Sequence, residues 1–317
     1  MVSLPPGTSS EYAVSIIIVN WNTRDILREC LASIAHETRL PHEIIVVDNA
    51  SSDGSPEMVA DEFPQVRLIA NTENLGFAAA NNQGLEIATG AKLLLLNPDT
   101  IILDHAIDVM SAWLDAHPDV GCVGCQVFED PETIQLTCFA DPGPLSLAVI
   151  EFGLKRLFTW PEYGGWDRTT QRDVDVVSGM FMLVPRPVFE EVGSLDDAFF
   201  IYSEEADWCR RIRNVGKRCV FAPEARILHL EGGSKSTAQI KSRMYVQKQK
   251  SKTIYARKHY GRSGELITRA IFLSSAMLRG IAFGLIGLLR ATPDRKARLR
   301  LSGAAIRYHL FGQEPMA

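Results

Sequence analysis

Two nucleotide-binding signatures are missing from these 317 residues. There is no G-x-G-x-x-G, which disfavours a dinucleotide fold of the dehydrogenase type, and no G-x-x-x-x-G-K-S/T, which removes a P-loop enzyme. No second C-x-x-C complements Cys122 and Cys125, so no four-cysteine zinc site is laid out along the chain. That pair lies in a run that reads as a strand, where residues three apart face opposite sides. With Cys30, Cys138, Cys209 and Cys219 it is read as a set of buried free thiols, in keeping with a reducing cytoplasm. The opening MVSLPPGTSSEY lacks a basic n-region and an apolar core, which predicts a disordered segment over 1–12 and no signal peptide. The longest uncharged apolar run, 280–289, is too short to span a bilayer.

What is present is a folded, globular composition, 46% hydrophobic and 22% charged. The net charge of −5 conceals an asymmetry: from Gly232 onward there are 17 Lys/Arg against 3 Asp/Glu, leaving 16 against 35 in the rest. A basic face of this kind attracts phosphate groups; it also suits a solvated helical appendage. Over the first ~130 residues strand and helix patterns alternate, which argues for a parallel sheet covered by helices. Strands are predicted at 13–19, 43–48, 66–70, 92–96 and 120–127. Helices are predicted after Thr23 as N-cap, at 77–88, and at 104–117. Residues 130–173 are loop-rich and aromatic, suiting either a substrate-facing insert or a local core. Strand character resumes at 174–184 and 225–228, with a helix at 204–215 between them. The chain is helical and basic after His229.

Polar clusters punctuate the strand ends, where ligands sit in open α/β sheets. The second strand delivers Asp48-Asn49-Ala50-Ser51-Ser52-Asp53-Gly54-Ser55. A carboxylate there can accept from the imide N–H of uracil or thymine; the same residues suit a helix N-cap cluster. The stretch Asn74 to Gly84 (NLGFAAANNQG) combines small residues with amides, and also reads as a helix packed on the sheet. Asn97-Pro98-Asp99 follows a buried strand. Its carboxylate suits Mg²⁺ or Mn²⁺, which take one or two protein carboxylates plus phosphate oxygens; alone, N-P-D is a turn. Glu204, Glu205 and Asp207 place three carboxylates within four residues at a helix start. They offer a general base for a hydroxyl, or simply an acidic first turn. His229, ahead of Gly232-Gly233, suits a metal ligand on a mobile loop or a structural histidine.

In order and spacing these segments resemble glycosyltransferase family 2, the inverting enzymes of GT-A fold, and within it the branch of bacterial rhamnosyltransferases of cell-envelope polysaccharide synthesis. The resemblance covers roughly residues 13–235. It rests on VSIIIVNWN, IIVVDNASSDGS, NLGFAAANNQG, LLLNPDT, VSGMFMLVPRPVFEEVGSLDDAFFIYSEEADWCRR and HLEGGS. It implies an α/β GT-A domain over 13–235 with a helical, partly amphipathic region over 236–317. It implies that Asp48 binds the nucleobase with the Val19/Asn20 backbone beside it, and that Asn74, Gly76 and Asn81 pack next to the nucleotide. Asn97-Pro98-Asp99 occupies the D-x-D place, so Asp99 would hold the metal–diphosphate, with His229 completing the metal site. Glu205 falls where the family places its base. Two departures stand out: Asn97 replaces the first D-x-D acid, and Glu205 replaces an Asp, which leaves Glu204 and Asp207 as alternative bases. The implied reaction moves a sugar, rhamnose by preference, from a dTDP- or UDP-sugar to a hydroxyl of an envelope glycan or polyprenyl-diphosphate-linked acceptor. The rival readings are a nucleotidyltransferase, for which only Arg24 is on hand after the first strand, and a non-catalytic nucleotide-sugar-binding homologue.

The C-terminal region adds a membrane expectation. Between Gly232 and Gly264 there are nine Lys/Arg and no acid. Residues 266–289 are apolar except for Arg269 and Arg279, with Arg290 just beyond; on a helix the three share a roughly 100° arc. Such a stripe predicts an interfacial helix on an anionic surface, peripheral on the inner face of the cytoplasmic membrane. A helix packed on its own protein is the competing reading. No nucleic-acid partner is expected, and the sequence is silent on oligomeric state.

Overall fold

The computed structural model describes residues 11–130, 132–230, 241–289 and 293–315. The expected disordered segment, the Gly232-Gly233 pair, the boundary at 235/236 and Arg290 fall outside these residues, save for Glu11 and Tyr12. Two compact units emerge. The first is built from Met1–Phe139, Gly165–Phe200 and Glu204–Gly233, the second from Ala140–Gly164, Ile201–Ser203 and Ser234–Ala317.

In the first unit β1 (Val14–Asn20), α1 (Arg24–Glu37), β2 (His42–Asp48), α2 (Ser55–Glu62), β3 (Arg67–Ala70), α3 (Phe77–Ile87) and β4 (Lys92–Leu96) alternate as the apolar runs predict. β1 is buried along its whole length, as a strand covered on both faces must be. α2 answers to the N-cap reading of the Asp48–Ser55 cluster. Its start, Ser55-Pro56, places a proline in the first helical turn, where its missing N–H costs nothing. Thr23 precedes α1 without capping it; its hydroxyl donates to Asn20 Oδ1 at 2.6 Å. α3 lies so close to the sheet that a Cβ on Gly84 would come within 2.6 Å of Ile17.

β5 (Thr100–Ile102), α4 (Ala106–Asp115), β6 (Val120–Asp130), β7 (Thr133–Ile134) and β8 (Cys138–Phe139) follow. After them come β9 (Arg172–Asp173), β10 (Val176–Val177), β11 (Phe181–Pro185), α6 (Arg186–Val192), α7 (Glu204–Asn214) and β12 (Arg218–His229). The main sheet runs β3-β2-β1-β4-β11-β6-β12-β5. β1 to β4 are parallel, β11 is antiparallel to both neighbours, and β12 returns parallel to β6. The single strand expected over 174–184 is two: β10 leaves to pair with β8, and β11 joins the main sheet. Ser178 N–H donates to Thr137 O and Asn97 N–H to Met180 O, so the intervening backbone is tied to loops instead of a ladder. The core beneath α1, α2 and α4 is aliphatic, with Ile16, Ile18, Leu31, Leu94, Leu183 and Ile227 each 0% exposed. Burying each such side chain is worth about 1.5–3 kcal/mol.

All six cysteines are buried and unpaired. Cys125 joins the aliphatic core, while Cys122 faces the other side with Cys209 and Cys219, their sulfurs within 4.8 Å of one another. Burial pushes the Cys122 thiol well above its ordinary value, which favours S–H over the metal-binding thiolate.

The second unit holds α5 (Pro144–Glu151), α8 (Lys241–Leu289) and α9 (Pro293–Phe311). α8 is broken at Gly261, whose φ of 67° lies in the left-handed region. Tyr255 and Tyr260 both donate to Asp141 at 2.7 Å. The middle of the loop-rich segment, Ala140–Gly164, thus belongs with the C-terminal helices, a grouping that cannot be read from linear order. The two described arginines of the expected stripe are each paired within this unit. Arg279 donates to the carbonyl and carboxylate of Glu151 at 2.7 and 2.8 Å, and Arg269 pairs with Glu265 at 3.1 Å.

Candidate active site

The carboxyl edge of the parallel strands carries three of the expected residues side by side. Asn20 and Asp48 are register partners at the ends of β1 and β2, and Asn97 follows β4, whose Leu96 pairs with Ile18. Asn20 Nδ2 donates to one Asp48 oxygen at 2.7 Å, and the Ser51 N–H donates to the other at 2.8 Å. Asp48 is 1% exposed. Its carboxylate therefore fixes the turn after β2 while keeping lone pairs for a further donor. That turn is held in unusual backbone: Ala50 and Asn22 have φ of 63° and 55°, and the Asn22 side chain accepts from Ser52 N–H at 2.7 Å. Two αL residues other than glycine, each tied by side-chain hydrogen bonds, mark an over-determined loop. Asp53 is pulled below the usual carboxylate range: burial opposes this, but Ser55 and the Arg24 N–H donate to it.

The Asn74–Gly76 segment is locked onto this loop. Asn49 Nδ2 donates to Asn74 Oδ1 at 3.2 Å and to Gly76 O at 3.0 Å. Gly76 has φ of 88°, and a Cβ there would sit 2.4 Å from the Phe200 carbonyl oxygen. Phe77 N–H donates to that same oxygen at 2.6 Å. Asn82 bonds both ways with the Leu195 backbone. So the start of α3 grips the chain four residues before Glu204. Asn81 is 1% exposed and its amide donates to Phe77 O within its own helix. Val19, 9% exposed, stands on β1 just before Asn20.

Asp99 and His229 are brought together although 130 residues separate them. β12 pairs antiparallel with β5, putting His229 opposite Thr100, and Leu230 N–H donates to Asp99 O at 2.7 Å. His229 Nε2 then lies 3.1 Å from Asp99 Oδ1, with the two side chains 13% and 8% exposed. An oxygen and a nitrogen donor converging at the strand edge, with other coordination positions left over, fit a hard or borderline divalent ion that also takes diphosphate oxygens.

Tyr202 and Ser203, with φ of 71° and 72°, turn the chain sharply into α7. Glu204 is 4% exposed and Glu205 half-buried. Asp207 is the most enclosed of the three, with a side chain 0% exposed and paired to Arg211 Nε at 2.9 Å. Arg211 also donates to the carbonyls of Val192 and Ser194 at 2.5 and 2.7 Å. Asp207 thereby anchors α7 to the turn after α6. The Arg211 clamp was not singled out in the sequence, where it is one of four arginines spaced along one helix and the next turn.

The order of strands, the antiparallel β11 and the polar carboxyl edge define the GT-A fold of nucleotide-sugar transferases. The model of glycosyl transferase family 2 matches residues 15–193, and the chain belongs to that family. The N-acetylglucosaminyl-diphospho-decaprenol L-rhamnosyltransferase of Mycobacterium tuberculosis is 26% identical over 239 residues, covering 68% of this chain and 75% of that protein. The O-antigen biosynthesis protein RfbC of Myxococcus xanthus is 27% identical over 245 residues, covering 70% of this chain and 18% of its own. Among solved structures, the mannosyltransferase of Pyrobaculum calidifontis in complex with GDP-Man and Mn²⁺ superposes with a TM-score of 0.53 at 19% identity, over 99% of this chain and 92% of that one. GalNAc-T7 with UDP, GalNAc and Mn²⁺ superposes at 0.54 and 18% identity, over 69% of this chain and 43% of that one. The structural likenesses carry the fold; the family match makes the protein a glycosyltransferase and sets the nucleotidyltransferase reading aside.

Proposed function

We propose that this enzyme transfers a hexose, rhamnose by preference, from a dTDP- or UDP-sugar to a hydroxyl of a lipid-linked or envelope glycan, with inversion at the anomeric carbon. The observation that carries the proposal is the meeting of Asp99 and His229 at 3.1 Å, on the edge that also holds the Asn20–Asp48 pair. In this reading Asp48 and the Val19/Asn20 backbone receive the base, Asn74 and Gly76 shape its pocket, and Asn97 lies beside the donor. Asp99 and His229 hold Mg²⁺ or Mn²⁺. The bound ion supplies charge neutralisation at the departing diphosphate. Glu205 takes the proton from the acceptor hydroxyl as that oxygen bonds to the anomeric carbon and the bond to diphosphate breaks. Glu205, half-buried, suits this better than Asp207, which is committed to Arg211. Glu204, nearly enclosed, supports the helix start. The relatives' acceptors and the basic C-terminal region support work at the inner face of the cytoplasmic membrane.

A panel of nucleotide sugars with a lipid-linked acceptor extract tests this. Turnover is expected with a dTDP- or UDP-sugar, and Glu205→Gln should lower kcat by about a thousandfold or more while nucleotide affinity changes little. Unchanged turnover in that variant would remove Glu205 from its role; no turnover with any donor would favour a binding protein.

A further inference from the structure

We infer that the outer face of α8 beyond Gly261 is the surface by which the protein docks, in plane, on an anionic lipid bilayer. The inference rests on the membrane acceptor proposed above and adds which atoms meet the lipid. Residues 266–285 contain only two charged side chains, Arg269 and Arg279, and neither lies on the outer face. The inner face, Thr268, Phe272, Ser275, Ala276 and Arg279, is packed: Phe272 stacks on His309 at 5.3 Å, and Ser275 and Arg279 bond Glu151. On the opposite side of the helix Leu266, Ile267, Leu278, Ile281 and Leu285 are each 51–62% exposed. Leu278, Ile281 and Leu285 follow at steps of three and four residues, and Leu266 and Ile267, eleven or twelve residues before Leu278, fall on the same side of the helix.

The exposure is not a general property of this protein. Of the nineteen large hydrophobic side chains exposed among the described residues, fifteen lie in the second unit. A contiguous apolar surface of this size calls for an occupant. Leu157 and Trp160, at 75% and 39% exposure, follow soon after Glu151, which is bonded to the 275–279 turn of α8. An exposed tryptophan in the same unit suits the headgroup level of a bilayer.

Charge names the occupant. The segments of the second unit hold 19 Lys/Arg and 6 Asp/Glu. Arg262 is exposed one turn before Leu266, at the start of the stripe. An apolar stripe on so basic a unit fits lipid tails and anionic headgroups together. The helix is also long and apolar enough to cross a bilayer by length and composition. Crossing, however, would carry the Arg279–Glu151 pair and its packed inner face into hydrocarbon, whereas lying in plane leaves them with the protein.

The test is flotation of the full chain with vesicles of phosphatidylglycerol and phosphatidylcholine, against pure phosphatidylcholine, for wild type and for the Leu278→Glu/Ile281→Glu pair. A second variant, Leu136→Glu, carries the same change on the first unit. Wild type and Leu136→Glu should float with anionic vesicles, more weakly at high salt; the pair should lose about tenfold or more in vesicle affinity. Circular dichroism and donor-sugar hydrolysis without lipid should be unchanged in the pair, and that lipid-free turnover reports on the active-site reading independently. Vesicle binding retained by the pair overturns the inference, as does failure of the wild type to bind. So does a wild-type dimer that the pair converts to monomer without vesicles, which would make a second copy the occupant.

Discussion

At the scale of single residues, the site is made of side chains that hold one another before they hold a ligand. Asp48 already accepts from Asn20 and Ser51, so a nucleobase would meet a carboxylate whose position costs nothing further to fix. The Asp99–His229 pair, a carboxylate oxygen and an imidazole nitrogen 3.1 Å apart, carries the metal part of the proposal. Asp99→Ala is expected to abolish the enhancement of nucleotide affinity by Mn²⁺ while leaving the metal-independent part, and His229→Ala to reduce it by about tenfold or more. Calorimetry of UDP and dTDP with and without metal, repeated after chelation, measures this; wild-type affinity insensitive to chelator would remove the metal. Asn97 cannot replace a carboxylate's charge, so a metal held here as proposed would rest on one acid where the D-x-D pattern has two.

At the scale of elements, α3 joins the two sides of the site. Its first turn reads the loop after β2 through Asn49 and the loop before α7 through Phe200. Gly76→Ala should cost about 1–3 kcal/mol, because the new Cβ meets the Phe200 carbonyl at 2.4 Å in a backbone that disfavours it. It should also lower kcat by displacing the approach to Glu205. Urea unfolding and turnover at saturating donor separate the two effects. Most elements of the first unit were legible in the sequence, because β1 and β4 are uninterrupted apolar runs and α3 is bounded by glycines. The break between β10 and β11 was read through, since strand character continues on both sides of Ser178-Gly179 and the tertiary hydrogen bonds that part the two strands leave no mark on the pattern. The aspartate and histidine of the metal pair were each visible, but their contact depends on β12 reaching β5. The partner of Arg279 was hidden for a similar reason: Glu151 comes from an insert more than a hundred residues earlier, which no helical periodicity can reveal.

At the scale of the whole molecule, the two units divide the chemistry of the chain. One carries the acidic, polar strand edge; the other carries the cations and the exposed apolar surface. The helices of the second unit also contain a half-buried base. Burial pushes His309 down to about 4, with Arg269 adding to the effect, while Nε2 donates to Gln249 at 2.9 Å. Its contribution to stability is complete above the unfolded value of about 6.5 and drains away as pH falls toward 4. Thermal melts between pH 7 and pH 4 should therefore show falling stability, and His309→Gln should flatten part of that slope. The strand order has one more consequence. β11 separates β4 from β6, and β12 separates β6 from β5, yet both come late in the chain. A ribosome that has delivered the first 130 residues has thus made strands whose neighbours do not yet exist, with β4 and β6 presenting open edges. The sheet closes, and His229 reaches Asp99, only when residues 181–229 have emerged, so a prematurely terminated chain would be both sticky and unable to assemble the site.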